Sequence, residues 1–106
     1  MHDEIHQNDI GTKFTVFLVD ENQTPPEVDL EGATILEIRF KKPGGAVVVQ
    51  TASIPSASGT VDGEIEYITV DGDLDEVGMW KIRGRVVLPT GTWTSSEDTF
   101  KVNAIF

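Results

Sequence analysis

Along this chain, apolar and polar residues alternate in short runs separated by clusters of Gly, Pro, Asn and Asp. A period of two places one row of side chains on a core and the other in solvent, so the pattern predicts strands. No long window repeats apolar residues at three- and four-residue spacing, so helices are not expected. The first predicted strand runs from Thr12 to Val19, with Phe14, Val16 and Leu18 opposing Lys13, Thr15, Phe17 and Val19. Asp20 to Asp29 is a loop, because Pro25 and Pro26 lack the N–H groups that a ladder needs. A second strand spans Ala33 to Lys41, and Lys42-Pro43-Gly44-Gly45 predicts a type II turn in which Pro presets φ and the next glycine supplies a positive φ. A third strand, Ala46 to Ser53, precedes a Ser-rich loop from Ile54 to Asp62. A fourth follows from Gly63 to Val70, and a fifth sets Trp80, Ile82, Gly84, Val86 and Leu88 against Lys81, Arg83 and Arg85. Pro89-Thr90-Gly91-Thr92 turns into a final run containing Trp93, Phe100 and Val102. Residues 1–10 lack this pattern and read as a flexible N-terminal arm, which leaves 11–106 as a single domain.

The segment Asp73-Leu74-Asp75-Glu76-Val77-Gly78-Met79-Trp80 sharpens the fold class. Immunoglobulin-like sandwiches place a similar leucine, glycine and aromatic at the corner that enters their penultimate strand. Tryptophan stands here in place of the usual tyrosine, so the hydroxyl hydrogen bond of a tyrosine corner is unavailable. The expectation is an all-β protein, an immunoglobulin-like antiparallel β-sandwich of about seven strands. The short turn at 42–45 makes the second and third strands antiparallel neighbours, where the standard arrangement separates them, so a departure in topology is expected. Gly84 weakens a strand interior and predicts either a bulge or the close approach of another backbone or a bulky ring.

Length and composition narrow the function classes. A chain of 106 residues with 39% hydrophobic residues has enough for one core and no room for a second. It has no cysteine, which removes disulfides and thiolate metal sites and leans toward folding in a reducing cytosol. The segment Met1 to His6 has no basic region or apolar run, so no signal peptide is expected, and no stretch is long enough for membrane insertion. Eighteen acidic and 8 basic residues give a net charge of −10. Nucleic acid and anionic lipid surfaces repel such a chain.

Candidate chemistry is sparse. Asp71, Asp73 and Asp75 alternate as in a calcium loop, but Glu76 and Ile82 stand where an EF-hand needs Gly and Glu. His2 and His6 have a spacing that could serve zinc on a helix, without a third ligand or a helix signal. No histidine follows within the domain, so Ser53, Ser56, Ser58, Ser95 and Ser96 have no partner base. The expectation is a non-enzyme with no catalytic, cofactor-binding or metal residues and no cofactor. Lys81, Arg83 and Arg85 alternate on one strand and Arg39 and Lys41 on another. They read either as a solvent face, with Glu37 and Glu66 as cross-strand partners, or as a contact surface for an acidic neighbour. Phe17 and Val19, Val48, and Met79 and Val87 are apolar on rows that should be polar, so either long loops or a protein partner cover them, and the small size of the domain favours a partner. The tentative partner interface is therefore Phe17, Val19, Arg39, Lys41, Lys81, Arg83 and Arg85. Trp93, just after a turn, is the candidate for stacking on a glycan.

Several segments recur together in a recognisable way: Ile10-Gly11-Thr12-Lys13-Phe14, Glu37 to Gly45, Asp62 to Tyr67, Asp71 to Leu74, Gly78 to Lys81 and Thr99 to Val102. Through them the chain resembles small virion proteins of tailed bacteriophages, and most nearly the N-terminal domain of upper baseplate proteins. The resemblance covers roughly residues 10–103 and rests on turn and corner chemistry. It implies a β-sandwich made in the host cytoplasm and mounted in the virion as a tail, baseplate or neck accessory or adaptor subunit. Its implied partners are other virion structural proteins and copies of itself. A capsid decoration protein and a carbohydrate-binding module for host-surface glycan are the alternatives.

Overall fold

The computed structural model describes residues 5–24, 26–55, 59 and 62–104. Among them the chain forms eight strands and no α-helix. They are β1 (Ile5–His6), β2 (Lys13–Phe17), β3 (Ile35–Lys41), β4 (Val47–Thr51), β5 (Glu64–Ile68), β6 (Gly78–Leu88), β7 (Gly91–Thr94) and β8 (Asp98–Asn103). A large sheet has the order β1-β8-β6-β3-β4, with β7 also on β6, and a small sheet pairs β2 with β5. The two sheets pack face to face as the layers of a β-sandwich. The 42–45 turn joins β3 to β4 as antiparallel neighbours. The two strands expected to be antiparallel neighbours thus lie side by side in one sheet.

Turn chemistry departs from the expectation in one detail. Gly45 donates its N–H to the Lys42 carbonyl at 2.8 Å, and it is Gly45, at φ +100°, that takes the positive φ. The Lys42 N–H then bonds the Ala46 carbonyl at 2.8 Å. This is a three-residue hairpin loop with glycine at the bulge position, a geometry whose twist matches that of the strands it joins.

Residues 5–10, expected to belong to a flexible arm, are instead tied down. β1 runs parallel to β8, with Ile5 opposite Val102 and His6 opposite Asn103. The Asn8 N–H continues the docking by bonding the Leu74 carbonyl at 2.7 Å. Two strand residues are too few for an alternation pattern, so the pairing left no trace in the sequence. Residues 1–4 of the expected arm, with His2, lie outside the described residues, as do 56–58, 60 and 61 of the Ser-rich loop.

The sandwich is packed by the rows the alternation singled out. Leu18, Ile38, Ile65, Val86 and Val102 are fully buried. Phe14 from the small sheet meets Phe40 edge-on at 5.3 Å and Phe100 at 4.6 Å, while Trp80 stacks on Phe100 at 5.7 Å. Such offset and edge-on contacts suit the quadrupoles of the rings. At the corner entering β6, the Trp80 indole N–H donates to the Glu76 carbonyl at 3.0 Å. The indole thereby makes a hydrogen bond of the kind that the missing hydroxyl would have made.

Gly84 marks a close approach. A Cβ there would stand 2.8 Å from Val16 Cγ1 and 3.1 Å from Ile65 Cδ1, both on the opposite sheet. The ladder between β3 and β6 runs through Gly84 without a break. The bulge lies on the other side, where Ser95, Ser96 and Glu97 face only Arg83 and Gly84 between the ladders of β7 and β8. Ser95 pins it, accepting from the Gly84 N–H through Oγ at 2.7 Å. At the opposite side of the sandwich the chain changes sheets. Thr51 pairs with β3, whereas Ser53, expected to end the same strand, exchanges both hydrogen bonds with Glu66 of β5.

Candidate functional site

Each sheet turns one row of side chains inward, so each also presents an outward row. In the large sheet the inward row holds Ile38, Phe40, Trp80, Ile82 and Val86, all buried. Arg39, Lys41, Lys81, Arg83 and Arg85 stand between them on the same strands and therefore point out together. Register places Arg39 opposite Arg83, Lys41 opposite Lys81 and Arg85 opposite Glu37. Lys101, opposite Met79, extends the row onto β8.

Like charges directly opposite one another are unfavourable, and two carboxylates offset the repulsion. Glu37 Oε1 lies 2.9 Å from Arg39 and 3.4 Å from Arg85. Glu97, carried by the bulge, reaches Arg83 at 3.5 Å and Lys81 at 3.7 Å. Among the described residues, six basic and two acidic side chains give this face +4, in a chain of net charge −10. Large apolar side chains stand among the charges. Val47 and Met79 are 59% and 55% exposed, and Ile35 and Val49 are exposed beside them.

The outward face of the small sheet has the opposite character. Phe17 and Val70 are 56% and 57% exposed, with Val19 and Ile68 also open to solvent. Register sets Glu64 opposite Phe17 and Glu66 opposite Thr15, and an isolated bridge sets Glu27 opposite Val19. The one cation here, Lys13, pairs with Glu66 at 3.4 Å. Phe17 and Val19 are thus on the other side of the molecule from Arg39, Lys41, Lys81, Arg83 and Arg85. The residues singled out as one interface lie on two separate surfaces.

Between the free side of β2 and the bulge runs a groove of about 340 Å³, lined by Val16, Phe17, Val19 and the segment 94–98. It holds carboxylates and hydroxyls but no histidine, lysine or arginine. Trp93, the candidate for a glycan, sits opposite Val86 on the inward row, half-buried, and donates its indole N–H to Asp20 at 3.2 Å.

The aspartates near Asp71–Glu76 serve the corner. Asp73 accepts from the Tyr67 hydroxyl, from the Val70 N–H at 2.8 Å and from Gln50 at 3.3 Å. Asp75 pairs with Lys42 at 2.8 Å, and that ammonium also lies 5.9 Å from the centre of the Trp80 ring. Burial, then the hydrogen bond to Asp73 and its negative charge, push the Tyr67 hydroxyl up to about 12. Among the described residues no three His, Asp or Glu side chains gather as a metal-binding group. The backbone N–H of His6 bonds Asp9 at 2.9 Å.

Sequence reasoning found the basic rows through their alternation but missed Glu97 and Lys101 as members of the same face. Met79 was visible as an apolar residue out of phase with Trp80. Glu97 was not visible, because the bulge that aims it shifts the register by one residue. No protein-family model matches the chain, and no curated protein matches it in sequence.

Proposed function

We propose that this domain is a non-catalytic assembly module that works through protein–protein contacts as a structural component of a bacteriophage virion, at the tail, baseplate or neck. The observation that carries this reading is the outward face of the large sheet. Six cations and four large exposed apolar side chains share one sheet face on a strongly acidic protein. A solvated sheet face should be polar throughout, and isolated apolar residues would need no explanation. A basic face mixed with apolar contacts suits a partner with an acidic surface, which it would both attract and orient. The same acidic balance disfavours nucleic acid. The virion assignment itself rests on the resemblance of the turn and corner segments to small virion proteins of tailed bacteriophages.

The test is the mass of the purified protein by light scattering, alone and mixed in turn with the structural proteins encoded beside it. Formation of a defined complex with one of them, lost on Arg39→Glu with Arg83→Glu, is expected. A protein that stays monomeric with every such neighbour and with itself would refute the assembly reading. A positive glycan screen would then favour a carbohydrate-binding module.

A further inference from the structure

We infer that the partner of the basic face is the acidic face of a second copy, so that the domains stack head to tail. This rests on the assembly reading and names its partner. The two outward faces lie on opposite sides of the sandwich, since the inner rows of the two sheets pack on each other through Val16, Ile65 and Gly84. They match in kind. One presents exposed Ile35, Val47, Val49 and Met79 within a field of +4. The other presents exposed Phe17, Val19, Ile68 and Val70, with Glu27, Glu64 and Glu66 against the single cation Lys13.

Charge decides between the two ways of pairing copies. Placing the basic face on itself would set Arg39 and Arg83 of one copy against the same residues of the next, which repels. Placing it on the acidic face brings opposite signs together and covers both apolar patches in one contact. Contact between two different faces is heterologous, so it closes into a ring or continues as a filament rather than stopping at a dimer.

The size of the faces sets the strength. Four strands about 4.8 Å apart, over about seven residues of ~3.4 Å each, span roughly 450 Å². The acidic face has only two strands and, with Val19 and Val70, spans at most about half of that, so the contact buries roughly 450 Å² in total, well below the ~1,200–2,000 Å² of stable complexes. The contact is therefore weak in isolation, concentration-dependent and sensitive to salt. At about 0.1 M salt, charges ~10 Å apart still interact, and at about 1 M they are screened beyond ~3 Å.

The experiment is sedimentation velocity on a concentration series of the full chain at low and high salt, with two variants. Arg39→Glu with Arg83→Glu reverses the basic face, and Glu27→Lys with Glu64→Lys reverses the acidic one. Circular dichroism melts establish that both remain folded. The wild type is expected to grow in mass with concentration, with at least about tenfold weaker association in high salt. Each variant alone stays monomeric, and an equimolar mixture of the two regains association because each supplies the face the other lacks. Wild-type-like association by either variant alone, or a mixture that stays monomeric, would overturn head-to-tail stacking. A wild type that is monomeric throughout yet binds a neighbouring virion protein overturns self-stacking and leaves the assembly reading standing. One that binds neither overturns both.

Discussion

Replacing Gly84 with alanine probes the closest approach of the two sheets. A Cβ at this buried position would stand 2.8 Å from Val16 Cγ1 and 3.1 Å from Ile65 Cδ1. Packed carbon atoms settle at about 3.5–4.0 Å, so Val16 must retreat by roughly 0.7 Å. Its branched Cβ makes rotation costly, but it borders the groove beside β2 and can shift in that direction. Overpacking of this kind costs about 1–3 kcal/mol. One term opposes it: alanine reduces the entropy of the unfolded chain, worth about 0.5–1 kcal/mol, and Gly84, which is not among the glycines with positive φ, accepts a side chain without backbone strain. The net expectation is a loss of about 1 kcal/mol, or a melting point lower by about 5 °C for a domain of this size. Urea titration followed by tryptophan fluorescence reads it, because the Trp80 indole is 1% exposed and reports on the core. Adding Val16→Ala should relieve the clash, so the double variant is more stable than the sum of the single losses by about 1 kcal/mol. A Gly84→Ala protein more stable than wild type, or strictly additive losses, would refute the account of sheet packing.

Tyr67 is the only tyrosine, so its titration can be read directly from tyrosinate absorbance. The midpoint is expected near 12 rather than the ordinary 10. A raised folded value favours the neutral form, so this contribution to stability is whole below pH 10 and is lost as pH rises through about 12. Asp73→Asn should lower the midpoint while leaving the part due to burial, and an unmoved midpoint would dissolve the Tyr67–Asp73 link. Ile5→Ala should destabilise by roughly 1–3 kcal/mol, since Ile5 packs against the core from β1. A loss near zero in urea titration would mean that β1 contributes nothing to stability. Trp80→Phe keeps an aromatic ring on Phe100 but removes the bond to the Glu76 carbonyl. A loss of about 1–2 kcal/mol is expected from the bond and the vacated volume together. The same denaturation measured by circular dichroism would contradict this if the variant matched the wild type.

Much of the fold was legible because strand alternation is a local signal. Phe14, Val16 and Leu18, or Ile38 and Phe40, declare their inward face from spacing alone. The Leu74-Gly78-Trp80 corner likewise carries its meaning within eight residues. Gly84 announced a close approach by its presence mid-strand, but the atoms that approach it come from residues 16 and 65, distant in sequence. The positive φ at Gly45 rather than Gly44 was a choice between two adjacent glycines that hairpin twist, not composition, settles.

Alternation by itself determined that this chain forms strands, which rows are buried, and that cations line up on the outward rows of β3 and β6. Only the tertiary structure decided that those two strands are neighbours, so that Arg39 and Arg83 share one surface. It also decided that Phe17 and Val19 belong to the opposite surface, that β1 is docked, and that a bulge aims Glu97 at Lys81 and Arg83. The physical reason is the range of the interactions. The period of a strand is set by its own backbone, whereas register and sheet membership are set by pairing between segments tens of residues apart. Net charge could be counted from composition, but its separation into a basic face and an acidic face exists only once the sheets are stacked.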